Sequence, residues 1–84
     1  MEGLEALQDG RYTEAEQIFT ELVVNIRRLF GEDHYEMAIA LEGLASALDG
    51  QQKPTEAAKY RDLASEVWRK HNQKNDSPGG NETR

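Results

Sequence analysis

The 84-residue sequence predicts an all-α fold, and three observations lead to this prediction. Apolar residues recur at steps of three and four along three separate stretches, which is the spacing of one face of a helix. No stretch alternates apolar and polar residues in the way that a half-buried strand does. Only two prolines interrupt the chain. These patterns predict four helices, and the first of them is short.

The helices are placed by their apolar positions. A short helical segment from Glu2 to Gln8 opens the chain, and a longer helix runs from Thr13 to Phe30. The longer helix carries a stripe of eight apolar residues: Ala15, Ile18, Phe19, Leu22, Val23, Ile26, Leu29 and Phe30. The stripe of the third helix is Met37, Ala38, Leu41, Leu44, Ala45 and Leu48. The stripe of the fourth is Ala57, Tyr60, Leu63, Ala64, Val67 and Trp68.

The breaks between helices have local causes. Gly10 and Gly31 each follow a helical segment, where a left-handed residue closes the last turn and glycine adopts it without a steric clash. Asp33 is the predicted cap of the third helix, with Glu36 at the spacing of a capping box. Pro54 suits the first turn of the fourth helix, where its missing N–H is not needed.

An internal repeat relates the two halves of the chain at an offset of 42 residues. GRYTEAEQIF, residues 10–19, aligns with QKPTEAAKYR, residues 52–61, and Thr-Glu-Ala is identical in both. Each unit is a helix, a short turn and a second helix. One helix pair alone cannot bury its apolar face, whereas stacked pairs share a continuous core. The sequence therefore predicts about two antiparallel helix-turn-helix repeats.

The motifs in these units resemble the tetratricopeptide repeat family, in particular the 42-residue variety of kinesin light chains. The resemblance covers roughly residues 3–70. The second copy contributes Gly31-x-Asp33-His34, then Leu41-x-x-Leu44-Ala45-x-x-Leu48, then Glu56-Ala57. The first copy contributes Gly10-x-Tyr12-x-x-Ala15 and Phe19. The family's fold is an α-solenoid, so the resemblance implies a solenoid fragment.

Several positions depart from the family pattern. Gln52 stands where glycine is usual, Pro54 where an aromatic residue is usual, and Arg61 where a large apolar residue is usual. We expect Arg61 to leave the outer face of the last helix open to water. The first helix is about half the expected length, which predicts a truncated first repeat that either belongs to a longer array or is completed by a partner.

The resemblance implies a non-catalytic protein–protein interaction module, a scaffold or adaptor that binds a peptide or helix in the groove formed by the first helix of each pair. The corresponding positions here are Leu4, Leu7, Ile39, Glu42, Gly43, Ser46 and Asp49. Their mixture of apolar and acidic side chains suits a partner with apolar and basic side chains. The alternative is a structural end-cap or self-association segment of a larger solenoid, with no ligand site of its own.

Other classes of function find little support in the residues. No nucleophile–base pair, glycine-rich phosphate loop or metal-ligand spacing occurs, so we expect no enzyme activity, cofactor or metal. His34 lies between acids, but a metal needs three or four converging ligands. The net charge of −6 disfavours nucleic acid and anionic membranes. Without cysteines, a signal peptide or a membrane span, we expect an intracellular, cytoplasmic protein.

The predicted domain covers residues 1–72, and residues 73–84 are predicted to form a disordered tail because they are polar and rich in Pro and Gly. A further prediction concerns the N-terminal helices. Leu4 and Leu7 should be covered by a preceding pair, and Val24 lies off the main stripe of its helix. An uncovered apolar face of this kind tends to find a partner, which predicts a possible homodimer through these helices.

Overall fold

The structure, a computed structural model, describes residues 2–75, with side chains as far as residue 72. It contains four helices: α1 (Glu2–Gln8), α2 (Tyr12–Phe30), α3 (Tyr35–Gly50) and α4 (Pro54–Asn75). The predicted all-α class and the short first helix are confirmed. Helix α4 continues three residues beyond residue 72, because Gln73 and Lys74 are favourable helix residues. The rest of the predicted tail lies outside the described residues.

Each helix packs against the next one along the chain, and α1 also touches α3. Two side-chain contacts show that α3 and α4 are antiparallel. Trp68 of α4 bonds Glu42 near the middle of α3, whereas Arg61, earlier in α4, pairs with Asp49 near the end of α3. The order of contacts reverses along the two helices. The chain therefore forms the two stacked helix pairs that the repeat predicts.

The core consists of two clusters that share α3. The first lies around Phe19, Leu44 and Leu48, and the second is formed by Val23, Ile26, Met37, Ala38, Ala40, Leu41, Ala64 and Val67. Among the described residues, half of the buried apolar side chains are alanines, so the helices approach one another closely. A core with so few large side chains depends strongly on each of them.

Phe19 occupies a pocket that two glycines leave open. A Cβ atom added to Gly3 would lie 2.6 Å from the Phe19 ring, and one added to Gly43 would lie 2.3 Å from it. Both distances are far below ordinary van der Waals contact. The ring is fully buried at the junction of α1, α2 and α3. This packing joins the first repeat to the second.

The turns repeat the same backbone geometry at an interval of 42 residues. Gly10 has φ +79° and Gln52, 42 residues later, has φ +63°, so these two equivalent positions both have a left-handed backbone. Gly10 closes α1, and Gln52 lies in the turn between α3 and α4. Gln52 lies where the family usually has glycine, so its side chain strains the backbone at this position.

Gln52→Gly should stabilise the protein by about 1 kcal/mol, because glycine adopts positive φ without the Cβ clash. In a domain of this size the melting temperature should rise by about 4–8 °C. A thermal melt followed by circular dichroism measures the change. Gln51→Gly is the matched control, since Gln51 has φ −89° and its side chain bonds Glu16 at 2.8 Å. That variant should be less stable than wild type, and a fall in melting temperature for Gln52→Gly would contradict the strain argument.

The start of α3 corrects one prediction. Its N-cap is His34, whose Nδ1 accepts a hydrogen bond from the backbone N–H of Glu36 at 3.1 Å; Asp33 is not the cap. The ring of His34 stacks on Phe30 and on Tyr35, with centroid distances of 4.6 and 4.7 Å. These ring contacts hold the imidazole so that its Nδ1 atom lies at the helix start. The cap is therefore one residue later in the chain than the predicted Asp33. His34 thus has a structural role.

His34→Ala should cost about 1 kcal/mol of folding free energy, since it removes the cap acceptor and the stacked ring. Chemical denaturation gives the value. His34→Asp separates the two contributions, because aspartate is a strong N-cap but cannot stack. If the cap matters most, His34→Asp should recover most of the stability lost in His34→Ala. Equal losses in the two variants would show that ring stacking, and not the cap, fixes this turn.

Candidate protein-binding surface

The seven predicted groove residues lie on two neighbouring helices. Leu4 and Leu7 belong to α1, and the other five belong to α3: Ile39, Glu42, Gly43, Ser46 and Asp49. Helices α1 and α3 are in contact. The side chains of Leu4 and Ile39 are 51% and 38% exposed, so each presents apolar surface to water.

A shallow cleft of about 540 Å³ separates the end of α1 from the end of α3. Three of the predicted residues line it, namely Leu7, Ser46 and Asp49. The sequence prediction missed the other three lining residues: Gln8, Tyr12 and Gly50. A Cβ atom on Gly50 would lie 2.3 Å from the Tyr12 ring. The close contact of Tyr12 with Gly50 therefore shapes one wall of the cleft.

The remaining predicted residues occupy other environments. Gly43 is buried against the Phe19 ring, so its surface is used in packing within the chain. Leu4, Ile39 and Glu42 are exposed but do not line the cleft. No sequence signal separated Gly43 from its neighbours, because the residue that fills its space is 24 positions earlier in the chain.

Both predicted acidic groups also connect α3 to α4. Trp68 Nε1 donates a hydrogen bond of 2.9 Å to Glu42 Oε2, and Arg61 forms an ion pair with Asp49. The hydrogen bond to Asp49 raises the pKa of the Arg61 guanidinium. The Arg61 and Asp49 side chains are 49% and 43% exposed, so water screens this pair and it adds little stability. Asp49 remains accessible from the cleft.

Arg61 and Phe19 occupy equivalent positions in the two repeats, 42 residues apart, but their environments differ. Phe19 is fully buried, whereas Arg61 is exposed. The prediction that Arg61 faces water is confirmed. In α4, the residue equivalent to Phe19 therefore does not fill a pocket. Arg61 instead forms a surface ion pair with Asp49 at the edge of the cleft.

Comparison with known families decides the identity of the fold. A model of the tetratricopeptide repeat matches residues 5–70. The chain belongs to the tetratricopeptide repeat family. Searches of curated proteins and of solved structures each gave no significant match. The match is to the tetratricopeptide repeat in general, and the likeness to kinesin light chains stays a prediction.

Tetratricopeptide repeats generally mediate protein–protein interactions. Within residues 2–75 no group of three or more His, Cys, Asp or Glu side chains is placed to hold a metal ion. Among the helices of the same range, none has the length and apolar character needed to cross a membrane. The cleft between α1 and α3 is lined by residues of both repeats.

Proposed function

We propose that this tetratricopeptide repeat protein is a non-catalytic scaffold or adaptor that binds a peptide segment of a partner protein in the cleft between α1 and α3. The observation that supports this most is the convergence of Leu7 from one repeat with Ser46 and Asp49 from the next. A surface assembled from two repeats is suited to an extended or helical segment that crosses both.

The chemistry of the cleft selects the partner segment. Leu7 and the Tyr12 ring offer apolar contact, and Asp49 is the charged group among the described residues that line the cleft. A segment with an apolar side chain beside Lys or Arg fits both features. Arg61 competes for Asp49, because it already forms an ion pair with that carboxylate. A basic ligand would share or replace this ion pair.

Selection of peptides from a random displayed library, with the whole chain as target, tests the proposal. Peptides that bind should contain apolar and basic side chains, and their affinity is then measured by fluorescence anisotropy. Ser46→Arg fills the cleft and neutralises its charge, so it should weaken binding about tenfold or more. Ser65→Arg is the matched control, since Ser65 is an exposed serine on α4 and lies outside the cleft.

Two further variants separate the charge of Asp49 from its ion pair. Asp49→Asn should weaken basic peptides several-fold, whereas Arg61→Gln leaves Asp49 in place and frees it, so affinity should hold or rise. Equal binding by the Ser46→Arg and Ser65→Arg variants would place the ligand elsewhere. Failure to select any peptide whose binding depends on Ser46 would favour the structural alternative.

Self-association through the N-terminal helices stays a prediction. Leu4 and Val24 are 51% and 47% exposed, as that prediction requires, whereas Leu7 is half-buried against the core. Sedimentation over a hundredfold range of concentration measures the mass. A concentration-dependent dimer that Leu4→Asp and Val24→Asp both abolish is the expected result, and a constant monomeric mass contradicts it.

A further inference from the structure

A small pocket lies between α2 and α4. Both helices pack on α3, and within the described residues their backbones are not in contact with each other. The space between them is lined by Met37 and Leu41 of α3 and by Leu63 and Val67 of α4, and its volume is about 110 Å³. We name it the α2–α4 pocket.

The α2–α4 pocket and the cleft use opposite faces of α3, and no residue lines both. Successive residues of a helix are rotated by about 100°, so the direction of each side chain around α3 follows from its position. Met37 and Leu41 lie about 140° around the helix from the mean direction of four predicted groove residues, Ile39, Glu42, Ser46 and Asp49. The pocket is therefore a separate site and not an extension of the groove.

The base of the α2–α4 pocket is apolar. Met37, Leu41 and Val67 are 2%, 3% and 8% exposed, and all three belong to the second core cluster. Leu63 is 44% exposed, so it forms an apolar edge that stays in water. An apolar cavity of about 150 Å³ admits benzene, so this smaller space suits one aliphatic side chain of the size of leucine. Such a side chain would cover Leu63 and bury further apolar surface.

Charged side chains surround the apolar base, and most of them are matched within the chain. Arg27 pairs with Glu32 at 3.7 Å, and Arg69 pairs with Glu66 at 3.3 Å. Asp33 also has an interaction within the chain. Because each of these two ion pairs is neutral overall, neither of them favours a ligand of one particular sign.

Lys70 is the exception at the rim of the pocket. Its ammonium group has no hydrogen-bond or ion-pair partner among the side chains that the structure describes, and it lies one helical turn beyond Val67. A carboxylate beside the aliphatic side chain of a ligand would pair with it. The net charge of −6 gives acidic peptides no general attraction to this protein, so their binding here would depend on local contacts.

The surface around the pocket favours a segment of another protein as the occupant. Residues 73–84 of this chain contain no large apolar side chain, so they do not supply the aliphatic group. A shallow surface along α4 continues from the pocket, because Leu63 and Glu66 line both, and it extends past Lys59 and Arg69. A polypeptide segment follows such a surface, whereas a small free acid would use the pocket alone.

We propose that the α2–α4 pocket binds a partner protein through one leucine side chain that has a carboxylate beside it. The leucine packs on Met37, Leu41 and Leu63, and the carboxylate pairs with Lys70. This binding requires no ligand in the cleft, which suits basic segments. The protein then holds two chemically different segments at once, on opposite faces of α3.

The peptide acetyl-Gly-Glu-Leu-Glu-Gly-amide is the probe, and its two glutamates place a carboxylate beside Lys70 in either direction of the segment. It is titrated into the whole chain with ¹³C-methyl-labelled methionine. The sequence contains two methionines, Met1 and Met37, and Met37→Leu identifies the resonance that reports from the pocket. That resonance should shift and saturate. Replacing the leucine of the peptide by alanine should weaken binding about tenfold or more, and replacing both glutamates by glutamine should weaken it several-fold.

Variants of the chain locate the binding. Lys70→Gln should weaken the peptide several-fold, whereas Lys53→Gln removes the same charge at the other end of α4 and should bind like wild type. Leu63→Gln removes the apolar edge and should also weaken the peptide, with a thermal melt to show that the variant is folded. Ser46→Arg, which blocks the cleft, should bind like wild type, so failure of one site is distinguishable from failure of the other.

Four results would overturn the proposal. The first is the absence of a saturating shift of the Met37 methyl resonance. The second is equal affinity for the peptide in which alanine replaces leucine, because the pocket would then hold no side chain. The third is an equal effect of Lys53→Gln and Lys70→Gln, which would reduce the interaction to net charge. The fourth is a Met37 shift that follows protein concentration without peptide, which would make a second copy of the chain the occupant.

Discussion

Phe19→Ala should remove most of the free energy of unfolding of the protein. The ring is fully buried, and it fills the space between Gly3 and Gly43 where three helices meet. Replacement of a buried Phe by Ala costs about 3–5 kcal/mol, through lost burial and the cavity that remains. The whole stability of a small domain is about 5 kcal/mol or little more. Urea denaturation followed by circular dichroism gives the free energy of unfolding.

Val24→Ala is the matched control for this variant. Val24 lies on the same helix but is 47% exposed, so its truncation should change the free energy of unfolding by about 0.5 kcal/mol or less. If Phe19→Ala were as mild as Val24→Ala, the junction of α1, α2 and α3 would not hold the fold together. The short α1 would then contribute little to the stability of the domain.

The arrangement of helices was predictable because its causes are local. Steps of three and four define the apolar faces, and Gly10 and Gly31 adopt the positive φ that ends a helix. The offset of 42 residues also held in detail, since Gln52 has the left-handed backbone of Gly10. These features depend on neighbouring residues, which a sequence displays directly.

The details of the binding surface were less predictable because they depend on contacts between distant residues. From the sequence, Glu42 and Asp49 were predicted to bind a ligand, but each also bonds a side chain of α4. The sequence predicted Asp33 as the cap of α3, whereas the structure has His34, because stacking on Phe30 and Tyr35 orients the imidazole. Neither choice can be made from residue spacing alone.

Gly43 shows most clearly how tertiary packing overrides local preference, and Gly43→Ala tests this directly. Within a helix, alanine is more favourable than glycine by about 1 kcal/mol, so helix propensity predicts a more stable protein. The added Cβ would lie 2.3 Å from the Phe19 ring, which has no free space to enter because Gly3 is on its other side. Overpacking of this kind costs about 1–3 kcal/mol, and we expect it to prevail over helix propensity.

Gly43→Ala should therefore lower the melting temperature, and a thermal melt decides the sign. Ser65→Ala, at an exposed site of α4, is the control for helix propensity and should raise the melting temperature slightly. The double variant Phe19→Leu with Gly43→Ala tests the cause, since a smaller side chain at position 19 leaves space for the new Cβ. Its loss of stability should be less than the sum of the two single losses, because the two residues are in contact. A stabilising Gly43→Ala, or strictly additive losses, would mean that the Phe19 ring can move aside and that this pocket does not fix the packing of α3 on the first repeat.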